Sequence, residues 1–213
     1  MILAPGSPDP PVRRLLARLG PDVTEGADTL VVASGTAEGE ALDALLDEGD
    51  FRILVLSALG AHPDARAPRL RRLWNLEEQV RRSSRAVLTL RLAPVVGADC
   101  PLWLRLRTRP RLGRDGEILF SPVHESDVVE TLTRALDGRA PWEGWYGIAG
   151  PEVMTLSEAS ALAARGQRLP PGAGAWEPPL EEIREHRLPE LEPWIEHFDV
   201  VPSRVTDHAE RWS

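Results

Sequence analysis

Residues 51–60 read FRILVLSALG, a nearly continuous apolar run that ends in glycine. A run without polar alternation is typical of a strand buried on both faces of a parallel sheet. TLVVAS at 29–34 and AVLTLRLAPVVG at 86–97 have the same character. We therefore expect three neighbouring parallel strands that are covered by helices on both faces.

Amphipathic segments separate these runs and predict the helices. Val12, Leu15, Leu16 and Leu19 recur at helical spacing after Asp9, which we expect to cap the first helix, with a proline in its first turn. Further helices are expected at 37–48, at 69–84, at 126–137 from Ser126 or Asp127, and at 156–165 after a Thr155–Glu158 capping box.

The whole pattern predicts an α/β fold, a three-layer Rossmann-like parallel sheet with a reduced number of strands. ILA at 2–4 and WYGIAG at 145–150 supply two further short strands. Residues 1–166 would form this domain. Residues 167–213 are rich in Pro, Glu and Trp and predict a linker followed by a small helical cap, which packs through Trp176, Trp194 and Phe198.

Composition excludes several classes of function. The 213 residues carry a net charge of -8, so nucleic acid and anionic membranes are unlikely partners. All 25 basic residues are Arg, which excludes Schiff-base and P-loop lysine chemistry and is typical of a GC-rich bacterial genome. With one cysteine and no secretory signal pattern, we expect a cytoplasmic protein.

Four stretches, taken in this order and spacing over about residues 1–165, resemble the atypical short-chain dehydrogenase/reductases, the NAD(P)-binding Rossmann group that includes epimerase-like and NmrA-like proteins. They are ILAPGSPDPPVRRLLARL, LVLSALGAHPD, EEQVRRSSRAVLTLRLAPVVG, and SPVHESDVVETLTRALDG with GWYGIAGPEVMTLSEAS. The resemblance implies a dinucleotide at the first turn and a catalytic Ser–Tyr–Lys set.

The sequence departs from this family at the phosphate-binding turn. Of the three glycines that let the pyrophosphate approach the backbone, only Gly6 is present, and Asp9 and Val12 stand at the other two places. A carboxylate at that helix start competes with a phosphate for its donors. We therefore expect no NAD(P), or weakly bound NAD(P), with a residual site of Gly6, Ser7, Ser34 and Ser57.

A second departure is a shortening. In the family, two further strand–helix units lie between the first helix and the strand that corresponds to 29–34, whereas here only residues 21–28 are available. Half of the adenine-side pocket would then be absent, because the residue that reads the ribose follows the missing second strand.

The third departure removes the catalytic pair. Ser57 fits the family's serine, but Leu70 and Trp74 occupy the places of the tyrosine and the lysine. An Arg at 71 or 72 could supply the positive charge, but nothing on this helix replaces the phenol, and Tyr146 belongs to a different strand. The family's usual reaction is therefore not expected.

Other candidate sites are weaker. His62 follows the Ser57 strand and is the partner that we would assign to Ser57 in an enzyme. His124 and Asp127 match a structural position of the family, and no histidine or cysteine spacing indicates a metal site. Ser57 also lacks the G-x-S-x-G context of a hydrolase nucleophile.

A row of arginines stands out in RLRTRPRLGR at 105–114. In an extended segment, side chains two residues apart project to one side, which would suit an anionic ligand, RNA or an acidic partner. A solvated loop with paired arginines is the alternative. The row consists of Arg105, Arg107, Arg109 and Arg111.

Three functions remain open from the sequence. The first is a degenerate NAD(P)-fold protein that acts in binding, regulation or scaffolding, with a protein partner or as a homo-oligomer. The second is an NAD(P)-dependent oxidoreductase or epimerase-like enzyme with a non-standard site around Ser57 and His62. The third is an anion or RNA binder that uses the Arg105–Arg111 row.

Overall fold

The computed structural model describes residues 2–19, 28–48, 50–108, 112–165, 180–185, 188–209 and 212. Within these residues a parallel sheet of five strands forms the centre of the molecule, in the order β1-β2-β3-β4-β8. The strands are β1 (Ile2–Leu3), β2 (Thr29–Ala33), β3 (Arg52–Ala58), β4 (Val87–Leu92) and β8 (Trp145–Ile148). Every residue of β2 is buried, as the apolar run predicted.

Helices cover both faces of this sheet, so the predicted three-layer architecture is confirmed. One face packs on α1 (Pro10–Arg18) and α5 (Glu125–Leu136), and the other packs on α2 (Glu40–Glu48) and α3 (Pro68–Arg81). Alternate residues of each strand point to opposite faces. Thus Leu54 joins the first core, whereas Val55 joins the second.

The reduced number of strands is also confirmed. β1 pairs directly with β2, with Ile2 opposite Leu30 and Leu3 opposite Val31. Among the described residues, β1 is therefore an edge strand of the sheet. No further strand–helix unit stands beside it there, on the side where the family resemblance implies an adenine pocket.

A third hydrophobic core, separate from the two on the faces of the sheet, lies beyond the carboxyl ends of the strands. Its short elements are β5 (Val95–Val96), α4 (Pro101–Arg107), a 3-10 helix (Gly113–Glu117), β6 (Leu119–Phe120), β7 (Val123–His124), β9 (Met154–Thr155) and α6 (Leu156–Ala163). β5 pairs with β7 in parallel, and β6 pairs with β9 antiparallel. Trp103 and Phe120 are the largest side chains buried in this core.

In the described part of residues 167–213 there are three short helices, α7 (Leu180–Arg184), α8 (Glu192–Phe198) and α9 (Val205–Ala209). Trp194 and Phe198 are buried against the sheet, as predicted, while Trp176 lies outside the described residues. Ile183 and Val205 enter the third core. The boundary at residues 166 and 167 stays a prediction.

Two predicted element bounds need correction, and one predicted cap is confirmed. The strand expected at 86–97 is interrupted at Ala93 and Pro94, because Pro94 has no N–H for a ladder. The helix expected from Ser126 or Asp127 begins at Glu125, with His124 as its N-cap. The Thr155–Glu158 capping box is confirmed.

None of the helices in the described part of the chain has both the length and the apolar character needed to cross a bilayer.

Candidate functional site

The turn after β1 is closed against the loop after β2. Ser7 N–H donates to the Gly35 carbonyl at 2.8 Å, and Asp9 N–H donates to the Ser34 carbonyl at 3.3 Å. Gly6 has a φ of +134° and bridges Thr36; a Cβ on Gly6 would lie 2.4 Å from the Gly35 oxygen. This glycine therefore serves a close approach of two protein loops, and the Ser7 and Asp9 N–H groups are used within the chain.

The start of α1 offers little to an anion. Its first two residues are Pro10 and Pro11, which have no N–H. Asp9 stands at the N-cap, but its side chain makes no capping bond. Our expectation of an Asp9 side-chain cap was therefore wrong. The carboxylate instead accepts a hydrogen bond from Arg69 Nε at 2.7 Å, and the same Nε lies 3.2 Å from Ser34 Oγ.

These residues do not fit a dinucleotide. A pyrophosphate needs free backbone N–H groups at the turn and at the helix start. Here Ser7 and Asp9 donate to carbonyls, two prolines lack the N–H, and a carboxylate lies at the helix start. In the residual site predicted at Gly6, Ser7, Ser34 and Ser57, the two serines before Ser57 are already bonded within the chain. Ser7 is bonded to Gly35 and Arg13, and Ser34 to Asp9 and Arg69. A role of these residues in binding a cofactor stays a prediction.

A cavity of about 220 Å³ lies at the carboxyl ends of β3 and β4. In α/β sheets this edge is the usual place for ligands. Most of its wall is apolar, and the polar groups come from Ser57, Asp9, Arg69 and Glu182. The apolar wall includes Pro11, Val12, Leu15, Leu56, Leu59, Leu70, Leu92, Pro94, Val95, Leu102 and Ile183.

Ser57 lies at the end of β3 and lines this cavity. The residue is 5% exposed, and its hydroxyl is buried with no hydrogen-bond partner among the described residues. A buried hydroxyl without a partner is costly and rare. Leu70 of α3, at the place of the family's tyrosine, is fully buried in the same wall and offers no polar group.

Arg69 of α3 links two carboxylates at the mouth of the cavity. Besides Asp9 it binds Glu182 of α7, with Nη1 at 2.6 Å from Oε2. The Glu182 side chain is only 13% exposed. Burial raises the pKa of the Glu182 carboxyl above its ordinary value, and Arg69 opposes that shift.

The helix α7 is fixed over the cavity by the residue that follows it. The Glu185 carboxylate accepts hydrogen bonds from Arg66 N–H at 2.7 Å and from Ala67 N–H at 2.6 Å, just before α3 begins. It thereby satisfies the N–H groups of the N-cap residue Ala67 and of the residue before it. Glu182 and Ile183 are consequently held as part of the cavity wall.

The structure does not bring His62 and Ser57 together in this cavity. His62 is absent from the described lining. Its Nδ1 accepts a hydrogen bond from Asp64 N–H at 3.2 Å, and its ring packs on Trp74 at 5.9 Å. The structure thus shows no hydrogen bond between Ser57 and His62, and their pairing as a catalytic couple stays a prediction.

The arginine row is not extended in its first half. Arg105 and Arg107 lie in α4, where residues two apart point in nearly opposite directions. Both are half-buried, and Arg105 donates to Thr108 Oγ1 at 3.3 Å. The extended geometry was wrong here, while Arg109 and Arg111 lie outside the described residues. A role in binding anions stays a prediction.

The remaining polar candidates make internal contacts. His124 stacks on His208 with 4.3 Å between ring centroids, and burial lowers its pKa. Tyr146 lies in β8, and its hydroxyl is 2.7 Å from His197 Nδ1. Asp127 accepts from Ser203 N–H at 2.7 Å. In the described part of the chain, no three His, Cys, Asp or Glu residues are arranged to hold a metal ion.

Comparison with known proteins supports the fold. The sequence matches no protein-family model and no curated protein. A functionally unknown conserved protein from Silicibacter pomeroyi has a similar structure, with 20% identity, a TM-score of 0.62, and coverage of 91% of this chain and 79% of that one.

Two enzymes that use or bind NAD have similar structures as well. TunA, an NAD-dependent NDP-hexosamine 5,6-dehydratase involved in tunicamycin biosynthesis, has 15% identity, a TM-score of 0.59, and coverage of 88% of this chain and 77% of its own. The Bordetella bronchiseptica enzyme WbmG, solved with NAD and UDP, has 13% identity, a TM-score of 0.58, and coverage of 87% and 72%. At such identities the likeness shows the fold alone.

Proposed function

We propose that this chain, which has the Rossmann fold of the short-chain dehydrogenase/reductases in a shortened form, binds a small molecule at the carboxyl ends of β3 and β4 and uses no dinucleotide. The observation that carries the proposal is the closed turn after β1. Its Ser7 and Asp9 N–H groups donate to the loop after β2. To donate to a pyrophosphate instead, these two N–H groups would have to break both hydrogen bonds, and the turn would have to move away from Gly35.

The helix start adds to this argument. A phosphate placed there would face Pro10 and Pro11, which cannot donate, and the Asp9 carboxylate, which repels it. Arg69 does not offset that repulsion, since its single positive charge is already shared between Asp9 and Glu182, at 2.7 and 2.6 Å.

Loss of redox chemistry is supported by the cavity wall. The reaction of the resembled family needs a phenol as acid and base beside the serine. Leu70 occupies that side of the cavity, and the Tyr146 hydroxyl is engaged with His197. A binding role is the one that this wall can perform, because it combines an apolar body with a few fixed polar groups.

The test is a thermal-shift series with NAD, NADH, NADP and NADPH. A ligand present at about 100 times its Kd would stabilise the folded chain by about 2.7 kcal/mol, or about 5–10 °C in a domain of this size. We expect a change below about 1 °C for all four dinucleotides at millimolar concentration. A rise of several degrees with any of them would overturn the proposal.

A matched pair of variants makes the series sharper. Asp9→Asn removes the carboxylate that repels a phosphate, and Asp64→Asn removes an exposed carboxylate from the loop after β3. If the closed turn is what excludes the dinucleotide, neither variant gains a shift. A shift gained by Asp9→Asn alone would mean that the carboxylate, and not the turn, blocks the site.

A further inference from the structure

We infer that the cavity under α7 is a site for a small amine with an apolar body, an inference that rests on the binding role proposed above. Its first support is charge. Asp9, Arg69 and Glu182 all line the cavity, so two carboxylates share one guanidinium. Arg72 also acts on the Glu182 carboxyl but is not among the residues that line the cavity, so the lining itself presents two carboxylates and one guanidinium. A ligand ammonium would balance the charge of this lining.

The second support is independent of the carboxylates. The Ser57 hydroxyl is buried, lines the cavity and has no hydrogen-bond partner among the described residues. A ligand N–H could donate to its oxygen, which would satisfy the group. Ser57 belongs to β3 and Glu182 to α7, so the polar contacts of the ligand would come from two separate elements.

Size and polarity define the rest of the ligand. The cavity of about 220 Å³ is larger than the cavity of about 150 Å³ that binds benzene in an engineered protein. Its apolar wall includes Leu15, Leu56, Leu70, Leu92 and Ile183. A ligand with a single aromatic ring or a short branched alkyl chain and one amino group therefore fits. The positive charge of such a ligand is opposite in sign to that of a nucleotide.

The test begins on the unaltered chain with three probes of one shape and three charges. Benzylamine, benzyl alcohol and benzoate are titrated by isothermal calorimetry near pH 8. We expect benzylamine to bind with a Kd of about 10 µM to 1 mM, at least about tenfold tighter than benzyl alcohol, with benzoate the weakest. Equal binding of the three probes, a preference for benzoate or no benzylamine binding would overturn the inference.

Variants then locate the charge. Glu182→Gln is expected to weaken benzylamine binding by about tenfold to a hundredfold while leaving benzyl alcohol unchanged. Glu181→Gln on the same helix is exposed and is the matched control, with binding unchanged. Ser57→Ala should weaken binding by about threefold to tenfold without lowering the melting temperature, because its hydroxyl has no bond to lose. Loss of binding in Glu181→Gln, or none in Glu182→Gln, would overturn the assignment.

The pH dependence of benzylamine binding is a readout that structural damage alone would not change. Glu182 is faced by Arg69 and Arg72 on α3 and by Asp9 before α1. Burial raises the Glu182 pKa, and a bound ammonium favours the ionised carboxylate. Benzylamine affinity should therefore fall as the pH falls from about 8 to about 5, and Glu182→Gln should remove that dependence. An unchanged dependence in Glu182→Gln would overturn the role of this residue.

The two proposals fail separately. A chain that binds neither benzylamine nor a dinucleotide disproves the amine site and leaves the loss of NAD(P) intact. A chain that binds a dinucleotide disproves the proposed function, whatever the outcome with benzylamine.

Discussion

Replacing Trp194 by Ala tests whether the C-terminal segment folds as one unit with the sheet. Trp194 of α8 is fully buried in the core that α1 and α5 share, and its Nε1–H donates to Thr131 Oγ1 at 3.0 Å. Removing a buried indole costs about 3–5 kcal/mol, of which the hydrogen bond accounts for about 1 kcal/mol. In a domain of this size, that lowers the melting temperature by about 6–20 °C.

Urea unfolding followed by far-ultraviolet circular dichroism measures this loss without depending on tryptophan fluorescence. Thr131→Val keeps the indole but removes this hydrogen bond, together with the one that Thr131 Oγ1 donates to the Asp127 carbonyl at 2.7 Å, and should cost about 1–3 kcal/mol. Trp145→Ala is the matched control, because that indole is 62% exposed and loses only its contact with Arg91, at 4.7 Å, worth about 1 kcal/mol or less.

The expected result is a single transition whose midpoint shifts for the entire chain. If Trp194→Ala leaves the main transition in place, or splits off a small separate one, residues 167–213 fold independently. The argument from a shared core would then be refuted.

Two further substitutions probe the closed turn and the buried charge. Gly6→Ala should lower the free energy of unfolding by about 2–4 kcal/mol, because its Cβ meets backbone atoms, whereas Gly39→Ala, in open space at a φ of +59°, should cost about 1 kcal/mol; equal losses in a thermal melt would contradict the close approach. Glu77→Gln should cost about 2–3 kcal/mol in urea unfolding, because the carboxylate is buried with the Arg91 guanidinium at 2.6 Å. Its neighbour Glu78 is half-buried and pairs with the exposed Arg81, so Glu78→Gln should cost about 0.5 kcal/mol or less. The reverse order would show that the buried pair is dispensable.

Local sequence patterns were sufficient to predict those elements in which a single kind of interaction dominates. The apolar runs of β2 and β3 predicted buried parallel strands, because only a doubly covered sheet tolerates such runs. The Thr155–Glu158 pair predicted a capping box because its bonds are made within four residues.

Competing patterns explain the error at α4. The alternating arginines of residues 105–111 indicate an extended segment, but Leu102, Trp103 and Leu106 are buried at helical spacing. The free energy gained by burying three large apolar side chains is larger than any preference of the solvated arginines for an extended backbone. A hydrophobic count over the preceding residues would have found the helix.

The closed turn and the polar side of the cavity carried no usable local signal. Asp9 looked like a helix cap, yet its partner Arg69 is 60 residues away. Glu182 binds Arg69 across 113 residues, in a stretch where sequence alone showed only a Glu-rich helix. Pairing at that range depends on how the chain returns to the sheet.

The sequence by itself determined the class of fold and excluded a catalytic lysine. Hydrophobic periodicity fixes which elements form, and the absence of Lys needs no structure to be read. Only the tertiary structure decided which contacts are made by the turn after β1 and by the cavity. It joins Ser7 to Gly35 and brings Asp9, Arg69 and Glu182 to the cavity beside Ser57. Such contacts are set by the packing of distant elements, and that packing decides whether the edge of the sheet is open or closed and which charge it presents.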